Sequence, residues 1–416
     1  INTRTPFGTY GGVFKGKSAM ELQTVAAVAA LKQAKVSPDK VDTVVIGNVL
    51  SSAPDGAFLP RHVSLRCGIP IEKPALGVNR LCGSGFQAVV SGAQDILTGS
   101  AQIALTGGCD NMSQAPYAVR NVRFGTMLGA PIAFEDTLWT GLTDSYCKLP
   151  MALTAENLAE QYKIPRQEVD NFALRSQKRW KAAHDAGYFN EECAPVTVSI
   201  KRKDVEIKQD EHPRPETTIE GLAKLATVFK KDGVVTAGSA SGICDGAGAI
   251  VLASEEALKA QSLTPLARLA GWASVGVDPK IMGIGPVNAI LDVLKATKLT
   301  LNDIDLIEIN EAFGVQTLAC AQALKLDMEK LNVNGGAIAL GHPLAASGAR
   351  ITAHLVHELK YVPHCISDFG SVNFISILML TFKMYLSIFR RRGLKRGIGA
   401  ACIGGGQGIA LLIELP

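Results

Sequence analysis

Four side chains, far apart along the chain, have types that nucleophilic and acid–base chemistry can use. Cys82 stands in "NRLCGSGFQAVV" (79–90), after a strand-like stretch and at the start of an apolar, helix-like one. At a helix N-terminus, unpaired N–H groups and the helix dipole favour a thiolate. Gly83 and Gly85 leave its side open to a substrate, and the N–H of Cys82 itself can face an oxyanion. The other reading of Cys82 is a small core residue. His342 lies in "GGAIALGHPLAASG", in what reads as a strand–turn–helix setting. There an imidazole can take a thiol proton or donate to a thioester oxygen. The remaining histidines (62, 184, 212, 354, 357, 364) have no comparable context. Cys402, in "GAACIGGGQGIALLIEL", sits on a strand before a glycine turn and a second strand. That turn lets a second thiol face a shared pocket, although an apolar-flanked cysteine also suits a core. The same glycines are no dinucleotide loop, because G-x-G-x-x-G needs a following helix and a downstream acid. Asn310 opens "NEAF" (310–313) at the end of a buried strand, placed either to cap a helix or to hold a water with its amide.

The elements that position these groups alternate helix and strand. "LQTVAAVAALKQAK" (22–35) has helical spacing, "VDTVVIGNVL" (41–50) reads as a buried strand, and "ALGVNRL" (75–81) as another. A helix over 84–98 and a strand in "QIALTGG" (102–108) follow. From about 117 to 235 the chain is richer in charge, with a helical "QKRWKAAHDAGYF" and a hairpin-like "VTVSIKRKDVEIK", as in an inserted, solvent-facing subdomain. The second half then repeats the first. Leu31, Lys32, Lys35 and Asp42 recur 263 positions later as Leu294, Lys295, Lys298 and Asp305, and "LCGSG" (81–85) falls on "LAASG" (344–348). Two strand–helix halves of one design predict an α/β protein with two related sheets.

Composition narrows the class. The 416 residues are 47% hydrophobic and 19% charged, which marks a folded globular chain with room for two domains. A net charge of +4, spread along the sequence, is too mild for nucleic-acid binding and suits an anionic small molecule. Nine scattered cysteines form no C-x-x-C pair and no metal-ligand spacing, so they read as free thiols in a reducing compartment. The chain opens "INTRTPFG" without methionine and without a secretory signal, as a fragment or processed form does. One stretch looks foreign. "FISILMLTFKMYLSIF" (374–389) is apolar and flanked by "RRR", yet shorter than the ~18–20 apolar residues of a spanning helix. By the internal repeat, about 30 residues too many separate a helix from the strand bearing Cys402, roughly Tyr361–Arg390. The flanking residues permit codons that resemble the two ends of an intron. We therefore expect a retained intron here, the alternative being a membrane-touching loop.

Taken together, "RTPFG", "NRLCGSGFQAV", "MSQAPYAVRNVRFGT", "TAGSASGICDGAGA", "NEAF", "GGAIALGHPLAASGARI" and "CIGGGQG" resemble the thiolase family over nearly the whole chain. "SQAPYAVRNVRFGT" and "IMGIGP" look most like its mitochondrial β-oxidation members. The resemblance implies a five-layered αβαβα core in two halves, 1–265 and 266–416. The first would include an inserted CoA-binding loop subdomain (about 117–240), the second the atypical insertion at about 361–390. It further implies thiolytic cleavage of a 3-oxoacyl-CoA in the mitochondrial matrix, through an acyl group on Cys82. His342 would activate Cys82, Cys402 would serve as the second acid–base thiol, and Asn310 would hold a water. One oxyanion hole would be His342 with that water, the other the N–H groups of Cys82 and Gly404. CoA contacts would fall on Arg214, Thr217 and Ser241. No cofactor or metal is implied, CoA being a substrate; the partners are CoA, 3-oxoacyl-CoA and a second or further copy of the chain, with no membrane and no nucleic acid. Alternatives are an acetoacetyl-CoA-specific acetyltransferase, an inactive relative disabled by the insertion, and a minor thioesterase activity. A decarboxylating ketoacyl synthase fits less well, since such relatives use two histidines and lack the second cysteine. The sequence departs from the family where Ala345 replaces a glycine and Ser239 an asparagine, which predicts altered loop packing and intact chemistry.

Overall fold

The computed structural model describes residues 2–359 and 394–416; the atypical segment 361–390 lies outside them. The main strands are β1 (Asn2–Arg4), β2 (Thr43–Gly47), β3 (Ala75–Val78), β4 (Ile103–Asn111), β5 (Val196–Ile200) and β6 (Lys203–Ile207). They continue as β7 (Cys244–Ala253), β8 (Arg268–Gly276), β9 (Leu306–Ile309), β10 (Arg396–Ile403) and β11 (Gln407–Glu414). The helices that matter for the site are α1 (Ala19–Ala34), α2 (Ser84–Leu97), α3 (Met151–Tyr162) and α4 (Arg166–Asp185). After them come α5 (Gly285–Thr297), α6 (Gly314–Leu324) and α7 (Leu344–Leu359).

One sheet has the order β1-β7-β4-β2-β3, the other β8-β11-β10-β9. Each is mixed in the same way. β2 runs parallel to β4 while β7 is antiparallel to it; β9 runs parallel to β10 while β11 is antiparallel to it. β4 is buried along its full length and β10 over all but its first residue. Strands covered on both faces read as unbroken apolar runs, which is why both were visible in the sequence. α1 covers the outer face of the first sheet and α5 that of the second, while α2 and α7 lie between the sheets and touch both. The result is the expected five layers.

The repeat is structural as well as sequential. α1 and α5 both end in a left-handed lysine, Lys35 (φ 55°) and Lys298 (φ 57°). Asp42 accepts the N–H groups of Gln102 and Ile103 (2.9 and 3.1 Å), and Asp305 those of Lys395 and Arg396 (2.7 and 3.0 Å). Each aspartate thus pins the start of the strand next to its own. In the middle layer α2 and α7 cross at backbone distance. A Cβ on Gly85 would land on the Ala345 carbonyl, and one on Gly348 on the Phe86 N–H.

Two expectations need correction. The strand expected over 75–81 stops at Val78. Asn79 Oδ1 accepts the Leu81 N–H (3.0 Å), and Leu81 takes a left-handed φ of 46°, so the chain turns before Cys82. The middle of the chain is also not solvent-facing throughout. The 196–207 hairpin forms, but α4 buries Val169, Phe172 and Ala173 in the core under the second sheet. Charge on its other face masked that role, as it does in any amphipathic helix.

Candidate active site

Cys82 stands just before α2, in the turn that feeds it. Gly83 is the N-cap, and Ser84 closes the turn: its Oγ accepts the Arg80 N–H (2.9 Å) and donates to the Leu81 carbonyl (2.7 Å). The residue is half-buried. Burial pushes its thiol up to about 11, against the N–H groups of Gly404 and of Cys82 itself, and the Asp110 charge adds to the rise. The expectation of a thiolate steadied by the helix start is thus corrected. Two flanking N–H groups do not outweigh desolvation, and the resting group is a neutral thiol.

Gly404 opens the turn between β10 and β11, where Gly405 (φ 80°) and Gly406 (φ 83°) take left-handed conformations that residues with a Cβ rarely adopt. Arg80 Nη1 donates to Gln407 Oε1 (3.1 Å) and ties this turn to the Cys82 turn. Cys402, the last residue but one of β10, is fully buried beside Met282 and Ala312, with Met151 and Phe313 packed against them. Burial raises its thiol well above the ordinary value, and the charge of Cys82 raises it further. The two thiols, far apart along the chain, therefore lie within electrostatic reach of each other.

His342 follows a short helix, Ala337–Leu340, and Gly341 at φ 92°, rather than the expected strand. Its N–H donates to the Gly242 carbonyl (2.9 Å). Nδ1 lies 2.5 Å from Ser347 Oγ, which donates to the Pro343 carbonyl (3.0 Å); Nε2 lies 3.3 Å from the Asn310 amide nitrogen. This chain of donors assigns the ring proton to Nδ1 and leaves the Nε2 lone pair as a base. Burial, with the Arg350 charge, lowers the imidazole to about 3, so the resting ring is neutral. Asn310 does not cap a helix, because α6 begins at Gly314 with Phe313 as its N-cap. Its N–H donates to the Ala400 carbonyl (2.9 Å), and its Oδ1 is buried with no partner among the described residues.

The other sequence-derived candidates lie further out. Ser241 Oγ donates to the Ala312 carbonyl (3.0 Å), at the edge of the Asn310 segment. Arg214 is exposed, its backbone N–H held by Gln177 (2.9 Å), and Thr217 Oγ1 donates to the Arg214 carbonyl (2.6 Å). Ser239 is buried, accepting the Thr236 N–H (3.0 Å). Sequence reasoning missed Ser347, Asp110, Arg80 and Gln407. A signal existed for two of them: Ser347 is the repeat counterpart of Ser84, and Asp110 is a lone acid near the end of an apolar strand. An apolar cavity of about 490 Å³, lined by residues including Leu97, Leu252, Trp272 and Val356, contains none of these groups. No cluster of metal-ligating side chains occurs among the described residues.

The chain is similar to known proteins along nearly its whole length. Residues 2–256 match "Thiolase, N-terminal domain" and residues 263–366 "Thiolase, C-terminal domain". The human "3-ketoacyl-CoA thiolase, mitochondrial" is 56% identical over 411 residues, 99% of this chain and 96% of the relative. The crystal structure of human mitochondrial 3-ketoacyl-CoA thiolase in complex with CoA superposes with a TM-score of 0.90 at 55% identity, covering 100% of this chain and 96% of the other. The Bacillus anthracis acetyl-CoA acetyltransferase structure superposes with a TM-score of 0.90 at 42% identity, covering 100% and 98%.

Proposed function

The chain belongs to the thiolase family, and from that membership we propose a 3-ketoacyl-CoA thiolase that cleaves 3-oxoacyl-CoA with CoA in fatty-acid β-oxidation. The reading rests above all on the meeting of Cys82, Gly404 and Cys402 across the two halves. It is an acyltransferase, releasing acetyl-CoA and an acyl-CoA shorter by two carbons.

The proposed steps follow from the protonation states. Cys82 Sγ attacks the 3-oxo carbon as His342 Nε2 takes the thiol proton. A neutral thiol and a neutral imidazole suit this, since the proton moves only as the bond forms. The C2–C3 bond then breaks, its electron pair leaves as the acetyl-CoA enolate, and Cys402 protonates C2. In the second half, Cys402 thiolate takes the proton of incoming CoA. The CoA sulphur attacks the acyl–Cys82 thioester and expels the Cys82 thiolate, which recovers its proton from His342. The N–H groups of Cys82 and Gly404, turned toward the sulphur at rest, serve as one oxyanion site. His342 with a water on Asn310 serves as the other, a reading supported by the buried, unpaired Asn310 Oδ1.

CoA is a substrate, contacted in this reading by Arg214, Thr217 and Ser241, and no cofactor enters the reaction. Relatives named mitochondrial support a mitochondrial enzyme, and we assign it to the matrix. We also infer a homodimer or homotetramer. Support comes from the exposed Leu76 on edge strand β3 and from exposed Phe124, Met127, Leu128 and Tyr146. We further read residues 1–265 and 266–416 as the two halves, split between the sheets. Steady-state thiolysis of 3-oxobutanoyl-CoA against 3-oxooctanoyl-CoA tests the substrate class. Turnover of both supports the proposal; turnover of the four-carbon substrate alone supports an acetoacetyl-CoA-specific enzyme.

A further inference from the structure

Asp110, one residue before the end of the apolar strand β4, has a fully buried carboxylate that accepts four hydrogen bonds. Oδ1 accepts the Asn48 amide (3.1 Å) and the N–H groups of Val49 (3.0 Å) and Leu50 (2.9 Å). Oδ2 accepts the N–H of Ala345 (2.7 Å). Val49, Leu50 and Leu344 pack in one apolar cluster with Cys82. Ala345 is the second residue of α7, three after His342, and only Pro343 and Leu344 intervene. A carboxylate on the first turn of α7 satisfies a helix-end donor and opposes the positive end of the dipole.

We propose that Asp110 is a positioning residue: it clamps the 48–50 loop beside Cys82 to the first turn of α7, and so holds the His342 turn against the nucleophile. The clamp joins the halves, since its strand and loop come from the first repeat and its helix from the second. Only a carboxylate can do this at both oxygens. An asparagine of the same shape offers one acceptor and turns an NH2 group toward the other donors.

The clamp has a second effect on the site. The Asp110 charge bears on the Cys82 thiol and raises it. Asp110 itself is pushed up to about 7 by burial, against its N–H donors, with Asp245 of β7 adding to the rise. Asp245 is occupied by the Ser113 N–H (2.9 Å) and Oγ (2.6 Å), so it does not compete for the four donors.

This proposal rests on the thiolase reading for its kinetic arm alone; the alkylation arm needs no substrate. Asp110→Asn in the full chain is expected to lower kcat for thiolysis by about 10²-fold, the cost of a displaced catalytic group. KM for CoA is expected to stay within about twofold. Iodoacetamide alkylation of Cys82 is expected to reach its midpoint at lower pH, because a nearby negative charge is gone. Asp110→Glu, which keeps the charge and both acceptors, is expected to return the alkylation midpoint to that of the parent chain and to recover most of kcat. If Asp110→Asn does not fold, Asn48→Ala, which removes one donor to Oδ1, is expected to lower kcat several-fold with KM unchanged. A parent-like kcat in whichever of these two variants folds overturns the proposal, as does an Asp110→Asn alkylation midpoint equal to that of the parent chain.

Discussion

At Cys82, burial opposes two N–H groups and wins, leaving a thiol that ionises at about 11. Alkylation of the unliganded enzyme should therefore accelerate with pH well beyond 8, without the plateau near neutrality that a preformed thiolate–imidazolium pair gives. His342, lowered to about 3, stays neutral from pH 5 to 9, so an NMR titration of its ring protons should be flat across that range. Ser347 fixes the tautomer that makes Nε2 the base. Ser347→Ala is expected to lower kcat about 10- to 100-fold with little change in KM, measured by steady-state thiolysis. Cys82 stood out in the sequence because it sits among glycines that a core residue does not need, whereas His342 and Cys402 were ambiguous in their own context and were singled out by the family resemblance. Their protonation states could not be read there. Those sum over neighbours such as Asp110, Arg350 and Cys320 that come together only in the fold.

Among the elements, the crossing of α2 and α7 carries the turns of two proposed catalytic residues, Cys82 before one helix and His342 before the other. Its spacing depends on Gly85 and Gly348. Gly348→Ala is expected to push the helices apart and destabilise the protein by about 1–3 kcal/mol, read by chemical denaturation, with kcat falling more than stability alone explains. Ala345 shows how closely the backbones approach here: its carbonyl lies where a Cβ on Gly85 or on Gly108 would fall. The helices, the buried strands and the repeat were legible because apolar period and capping residues are local. The end of β3 was not. The stretch 79–81 continues an extended pattern, and only the side chains of Asn79 and Ser84, folded back on the backbone, show that the chain has turned. The segment 361–390 was recognised by the same logic, as a break in spacing, and lies outside the described residues.

For the molecule as a whole, the N-terminal strand is locked to α7 by a buried charge cluster. Arg4 pairs with Glu192 (2.8 Å) and Asp210 (2.6 Å), and His354 pairs with Glu192 (2.9 Å). Burial alone would raise the Glu192 carboxyl, but His354 and Arg4 outweigh it and hold it below the usual carboxylate range. Burial opposes the His354 charge, but Glu192 outweighs that and raises the imidazole. The Glu192 contribution is present above its ordinary value of 4.5 and is lost as pH falls through its lowered one. The His354 contribution is present below 6.5 and is lost as pH rises through its raised value. Their joint contribution is therefore greatest between about pH 4.5 and 6.5. Glu192→Gln is expected to cost about 3–5 kcal/mol there by leaving Arg4 and His354 short of a counter-charge, and to flatten the acid side of a stability–pH curve from denaturant titrations. The cluster was invisible in the sequence because its residues share no motif: Arg4, Glu192 and Asp210 meet only in the fold of the first half, and His354 joins them from α7 of the second. The central claim is that acyl transfer runs through Cys82 at the junction of those halves. Its most direct test is peptide mass spectrometry of enzyme quenched in acid after exposure to 3-oxooctanoyl-CoA without free CoA. A hexanoyl group on Cys82, absent when Cys402 is replaced by alanine, is the predicted result; acylation elsewhere, or CoA-dependent cleavage with Cys82 never acylated, contradicts the account.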